Sequence, residues 1–220
     1  MSSATTSVRP PGIRRTATAR SGNNQDSNHN ATSNSPLLFE ALKCLSTIEQ
    51  RIILDMGPAS HSSIDFFGEY WCKLFIADAI TDLHKQNLKA SETPLAWQKA
   101  LSKSIKFNTL NHANLDIVFL WTLPNYLSPQ NLKALIEFLL PHSDSHTRVH
   151  AYIYNTQMMP AVPSSYHIKR NQKVDIVLRS SNQKNCPLYH LAELHNCFKP
   201  FKVDHAVMLS SGVQEYLFTG

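Results

Sequence analysis

The sequence predicts an α/β protein with a mainly parallel sheet and an antiparallel hairpin at its end. Three observations carry this expectation. The segment RIILDMGPASHSSIDFFGEYWCKLFIAD, residues 51–78, reads as a strand, a tight turn, a helix and a second strand tipped by a carboxylate. The run DIVFLW, residues 116–121, is apolar without alternation, as a central strand covered on both faces must be. The ending holds two extended runs, 202–209 and 213–218, around Ser210-Ser211-Gly212, the pattern of a hairpin.

Residues 1–35 are Ser, Thr, Asn, Arg, Gly and Pro with almost no large apolar side chain. Such a stretch cannot bury enough surface to offset the entropy of ordering, so a disordered tail is expected, with the folded domain over 36–220. From Pro36 the character changes. Leu37, Leu38, Phe39, Leu42 and Leu45 give an amphipathic helix over 36–49 that leads into a strand over 51–55. After the turn, Ser62 or Ser63 caps a helix running to about Tyr70, with Asp65 in its first turn, where the helix dipole favours an acid. Ile64, Phe67 and Trp71 recur at helical spacing, with Phe66 and Tyr70 on the neighbouring stripe. The second strand spans 73–77.

From 82 to 113 the pattern is weaker. A helix over 95–105 with Pro94 in its first turn is expected, and 105–110 is a candidate third strand. After DIVFLW, Ser128 caps a helix that has Pro129 at its first position and Leu132, Leu135, Ile136 and Leu139 as its buried stripe. Pro141 ends it. A strand over 148–154 follows, then a loop broken by Pro160 and Pro163, a short strand over 174–178 and a helix over 188–198. No internal repeat is visible. Strands alternating with helices make the sheet mainly parallel.

The chain has 220 residues, room for one domain with a sizeable core, and is 42% hydrophobic. Its formal net charge is +5, but Arg9, Arg14, Arg15 and Arg20 precede the first acid, Asp26, so the folded part is near neutral. No basic stripe interleaved with aromatics marks a nucleic-acid groove. The cysteines, Cys44, Cys72, Cys186 and Cys197, have no CxxC spacing; zinc is not expected, and reduced thiols in a cytoplasmic protein are. His142, His146 and His150 span a loop-to-strand junction without helical spacing, so no metal site is expected there. No window reaches the roughly 18 apolar residues of a membrane span. The Arg/Ser/Thr-rich start has no apolar signal core, and Pro10, Pro11 and Gly12 spoil the amphipathic helix of a transit peptide.

LDMGPASHS after the first strand, FIAD closing the second, and DIVFLWTLPNYLSPQNLKALIEFLLP together resemble a class I S-adenosylmethionine-dependent methyltransferase. The ending FKPFKVDHAVMLSSGVQEYLFTG is similar to the family's closing hairpin. The resemblance covers about Pro36 to the end. It implies a Rossmann-like three-layer sandwich in which the antiparallel last strand lies between its two neighbours. It also implies S-adenosylmethionine as cofactor, with the family's first turn reading Asp/Glu-x-Gly-x-Gly-x-Gly. Asp55 and Gly57 match that turn, while Ala59 and His61 replace the second and third glycines. Asp78 matches the carboxylate that accepts the ribose hydroxyls, and it lies about twenty residues beyond the turn, as in nucleotide-binding units of this kind. Thr122, Asn125 and Tyr126, after the DIVFLW strand, are the candidates to face substrate. No catalytic residue is identified, and no Asn-Pro-Pro-Tyr signature is present.

Each of these residues also has a structural alternative. Asp78 could cap the next helix, Asp55 could hold its turn, His61 could be a turn residue, and Asn125 and Tyr126 could cap and pack the helix after them. Two function classes therefore stand side by side: a methyltransferase of unknown acceptor, and a non-catalytic methyltransferase-like interaction module that has lost the cofactor. A nicotinamide dehydrogenase is a weaker third, since GxGxxG is absent. Residues 155–185 are the expected lid or substrate-facing segment.

Overall fold

The computed structural model describes residues 30–79, 93–105 and 114–220. Six strands form the central sheet: β2 (Arg51–Asp55), β3 (Cys72–Ile76), β4 (Ile117–Trp121), β5 (Arg148–Tyr154), β10 (Lys202–Met208) and β11 (Val213–Thr219). Their order is β10-β11-β5-β4-β2-β3. The pairs β3–β2, β2–β4 and β4–β5 are parallel, and β11 is antiparallel to both β5 and β10. The reversed last strand thus sits between its two neighbours, as the resemblance implies for the closing hairpin.

The period of two along each strand splits the core between the two faces. Ile52, Leu54, Val118, Leu120, Val149 and Ala151 look to one side, against α3 (Pro94–Ser104), α4 (Pro129–Leu139) and α5 (Leu191–Phe198). Helix α4 follows its sequence closely. Ser128 Oγ accepts the N–H of Asn131 at 3.2 Å, Pro129 takes the first turn, and Leu132, Leu135, Ile136 and Leu139 are wholly buried. Burial of side chains of that size stabilises by about 1.5–3 kcal/mol each.

Ile53, Ile117, Phe119, Trp121, Tyr152 and Leu217 look to the other face. There they meet α1 (Pro36–Leu42), α2 (His61–Phe67) and a small antiparallel sheet ordered β1-β8-β7, made of Asn30–Asn34, Lys173–Val177 and Ser165–Lys169. A further pair joins β6 (Met158–Pro160) to β9 (Gln183–Asn185). The expected short strand at 174–178 is β8; β6, β7 and β9 were not anticipated.

Several boundaries shift by one to three residues from expectation, the last helix starting at Leu191 rather than 188, and three larger differences have a local reason. Residues 30–35 were counted with the tail. Instead, Asn30–Asn34 pairs with β8, and Ser35 is fully buried. NATSN has no apolar alternation, because this edge strand is held by its backbone ladder and by Thr32 Oγ1 donating to Asp175 at 2.7 Å. The expectation of disorder for residues 1–29 lies outside the described residues.

Helix α1 stops at Leu42 and tightens into a 3₁₀ turn over Lys43–Ser46 rather than reaching 49. Thr47 Oγ1 takes the Cys44 carbonyl at 2.9 Å, a local bond that competes with helix continuation. Helix α2 begins one residue early because Ser60, not Ser62 or Ser63, is its cap, so Asp65 falls beyond the first turn. It ends at Gly68, which leaves Trp71 outside the helix and exposed, while Phe67 alone of the expected stripe is deeply buried. The candidate third strand lies, but for Ile105, outside the described residues. No described helix is long and apolar enough to cross a membrane, and no three His, Cys, Asp or Glu among the described residues cluster as metal ligands.

Candidate functional site

Parallel pairing brings the tips of β2 and β3 to one edge of the sheet. Asp55 is in register with Ile76, and its carbonyl accepts the N–H of Ala77 at 2.8 Å. The turn after β2 therefore lies beside Asp78, at the C-terminal edge where ligands of open α/β sheets bind. The turn is held on three sides. Met56 N–H continues the ladder to the Phe119 carbonyl at 3.0 Å. Asp55 Oδ1 accepts the N–H of Gly57 at 2.8 Å, which closes the turn locally. Ser60 Oγ caps α2 through Ser63 N–H at 3.1 Å, and Ser63 Oγ accepts Ile168 N–H from β7 at 3.3 Å.

The Asp55 carboxylate is buried and takes a second donor, the indole Nε1–H of Trp121, at 2.6 Å. Burial pushes its pKa up to about 6; the bonds from Trp121 and Gly57 pull it down, and the charge of nearby Asp78 pushes it up further. Gly57 does not use left-handed backbone. Its lack of a side chain matters for space, since a Cβ there would stand 2.9 Å from Cδ1 and 3.0 Å from Nε1 of Trp121. The ring on Gly57 is thus an indole supplied by the chain itself. Trp121 in turn stacks face to face on Tyr166 of β7, with centroids 4.8 Å apart and an interplanar angle of 1°.

Asp78 is half-buried at the tip of β3 and adopts φ +28°. Ala59 is exposed and stays out of the left-handed region, so its methyl costs nothing. His61 is the exposed first residue of α2. Asp55, Gly57, Ala59 and Asp78 therefore lie in or beside one turn, as their motif spacing implies. A carboxylate and backbone polar groups at this edge have the chemistry to hold ribose hydroxyls. The inner face of Gly57, where the amino-acid end would approach, holds Trp121.

The three candidates to face substrate divide differently. Thr122 is buried, and its Oγ1 accepts from the Tyr166 hydroxyl at 3.2 Å. Asn125 is fully buried and fully used: Nδ2 donates to the carbonyls of Thr122 at 3.0 Å and Tyr152 at 2.7 Å, and Oδ1 accepts Tyr154 N–H at 2.8 Å. The amide fastens the 3₁₀ turn Leu123–Tyr126 to β5, in keeping with the structural one of the two roles expected for it. Tyr126 is half-buried. Its hydroxyl donates to the Pro160 carbonyl at 2.8 Å, burial pushes its pKa up, and the Lys184 ammonium lies 4.4 Å from its ring centre.

Sequence reasoning treated Trp121 only as the last residue of a core strand. The available signal was an aromatic at the very tip of β4, beside the glycine turn. It also missed a buried polar group on the same face. Glu215 Oε1 accepts from Leu38 N–H at 2.9 Å and Ser35 Oγ at 2.5 Å and meets His150 Nε2 at 2.9 Å, while Ser35 Oγ is 2.6 Å from the Tyr152 hydroxyl.

No protein-family model matches the chain, and a search of curated proteins finds no match. Solved structures align with most of it. A S-adenosylmethionine-dependent methyltransferase from Clostridium acetobutylicum aligns at 9% identity over 83% of this chain and 88% of its own, with a TM-score of 0.45. DesVI of Streptomyces venezuelae aligns at 13% identity over 82% and 90%, with a TM-score of 0.44. The 1,6-didemethyltoxoflavin-N1-methyltransferase of Burkholderia thailandensis, solved with S-adenosylhomocysteine, aligns at 10% identity over 81% and 77%, with a TM-score of 0.41.

Proposed function

We propose that the chain is a S-adenosylmethionine-dependent methyltransferase that holds its cofactor at the tips of β2 and β3. The observation that carries this is Asp78, a half-buried carboxylate at the tip of β3 beside the Asp55–Gly57 turn. Asp78 accepts the two ribose hydroxyls, and the backbone from Asp55 to Ala59 lines the cofactor's other side. S-adenosylmethionine, when bound, supplies an electrophilic methyl group. Transfer then needs chiefly alignment of acceptor, methyl and sulfur, so the absence of an obvious base is no obstacle. The architecture we read around the site is a three-layer sandwich, and the place of action is the cytoplasm.

A second reading has one observation in its favour. Trp121 fills the inner side of the glycine turn and binds Asp55, as it would in a non-catalytic module whose turn has become a structural lock. Calorimetric titration with S-adenosylmethionine and S-adenosylhomocysteine separates the two. Under the methyltransferase reading both bind, and Asp78→Ala weakens them roughly tenfold or more, because a charged hydrogen-bond acceptor is worth about 1.5–3 kcal/mol. Absence of binding at millimolar ligand by the unaltered chain leaves the interaction module.

A further inference from the structure

We propose, resting on the cofactor reading above, that Trp121 is a gate: its indole and the cofactor compete for the inner face of Gly57. The first observation is exclusion. Atoms of the ring lie at 2.9 and 3.0 Å from the point where a Gly57 Cβ would be, so no ligand atom can approach that side of the turn while the ring is there.

The second observation is backbone conformation. Four described non-glycine residues have positive φ. Asn171 and Gln172 make the β7–β8 turn, which asks for such angles. The other two, Asp78 at +28° and Trp121 at +51°, flank the one turn that would receive the ligand. Hairpin geometry does not call for either. Strained residues of this kind persist only where their surroundings over-determine them, and they cluster at clamps and switches. The β4–β5 register also shifts between Phe119 and Trp121, so Trp121 pairs with Ala151 only across an irregularity.

The third observation is how the ring is held. Its indole N–H bonds to Asp55, its most nearly parallel contact is with Tyr166 on the small sheet, and it also meets the rings of Phe119, His150 and Tyr152. That sheet touches the turn through Ile168 N–H and Ser63 Oγ, and the strand tip through Tyr166 and Thr122. Release of the ring therefore involves the turn, β7 and the neighbouring rings of Phe119, His150 and Tyr152 on the same face of the sheet, not the helices on the far face. A closed gate lowers apparent affinity by the fraction of molecules that are open.

The test is S-adenosylhomocysteine affinity of the unaltered protein, Trp121→Phe and Trp121→Ala. The gate predicts that both variants bind more tightly, by about tenfold if the gate is open a tenth of the time. Equal affinities across the three would leave the cofactor site standing and sink the gate. No binding by any of them at millimolar ligand would sink the cofactor reading and the gate with it. Trp121→Ala removes a large core ring and could fail to fold. A form keeping Trp121 as its sole tryptophan (Trp71→Phe, Trp97→Phe) gives a second readout. The gate predicts that saturating S-adenosylhomocysteine shifts its emission to the red and makes it quenchable by acrylamide; an unchanged spectrum in the bound state overturns it.

Discussion

One carboxylate oxygen, Oδ1 of Asp55, holds both the N–H of its own turn and the indole N–H of Trp121, 66 residues further along the chain. Two donors on a buried acid would ordinarily keep it ionised. Burial outweighs them here, and the pKa rises from 3.8 to about 6.

The consequence for stability has a definite sign. The folded state binds the Asp55 proton more tightly than the unfolded state does, so this group's contribution is complete at acid pH. It is lost as pH rises between 3.8 and about 6. The difference amounts to about 3 kcal/mol. Chemical denaturation across that range should show a loss that Asp55→Asn largely removes. An identical pH profile in the variant would assign the loss elsewhere.

Gly57→Ala should destabilise by about 1–3 kcal/mol, since the new methyl would overlap the Trp121 ring and crowd Asp55 Oδ1, 3.2 Å away. In Trp121→Leu the same substitution should cost much less. The coupling between the two, read from a double-mutant cycle in urea, should exceed about 0.5 kcal/mol, the lower bound for residues in contact. Additive effects would mean that the glycine is required for some other reason.

Glu215 is expected to be the most sensitive polar residue of the sheet. Burial pushes its pKa up, yet the hydrogen bond and charge of His150, with the bonds from Ser35 and Leu38, hold it below the usual carboxylate value. Its contribution is present above pH 4.5 and is lost as pH falls through the lowered value. Glu215→Ala strands three partners and should cost about 3–5 kcal/mol, while Glu215→Gln, which keeps an acceptor, should cost less. Limited proteolysis should then cut near α1 in the alanine variant first. Unchanged protection there would show that α1 docks without this bond.

Asn125→Ala should destabilise by about 1–3 kcal/mol, the desolvation cost of the buried groups it leaves unpaired. It should leave S-adenosylhomocysteine affinity of the folded protein within about twofold, less than a typical hydrogen bond is worth. A large loss of affinity at unchanged melting temperature would restore Asn125 as a ligand contact.

The central elements were legible because their sequences answer to burial. β2 and β5 match the expected residues, and α4 has its cap, proline and apolar stripe where the pattern places them. Of the small sheet only β8 was legible: β1 buries almost none of its side chains and pairs with a strand far along the chain, and β7, though its burial alternates, is only five residues long. Asp78 and Gly57 could be placed together from strand order alone. Trp121 could not be placed against Gly57, because the contact depends on a left-handed residue at a bulge, which leaves no trace in hydrophobic periodicity. Asn125 stood between two roles because a polar residue after a central strand reads the same whether it looks outward or fastens a turn.

The strand Asn30–Asn34 emerges first among the described elements, yet its ladder partner lies 143 residues later and the acid that anchors Ser35 lies 180 later. During synthesis both contacts must wait until nearly all of the chain has left the ribosome. The closing of the small sheet is therefore tied to the arrival of β8, and the seating of α1 to that of β11, the strand that also completes the central sheet. A nascent chain halted before β11 should leave Leu37 and Leu38 open to chaperones, and arrested-chain proteolysis would show whether their protection appears only with the final strand.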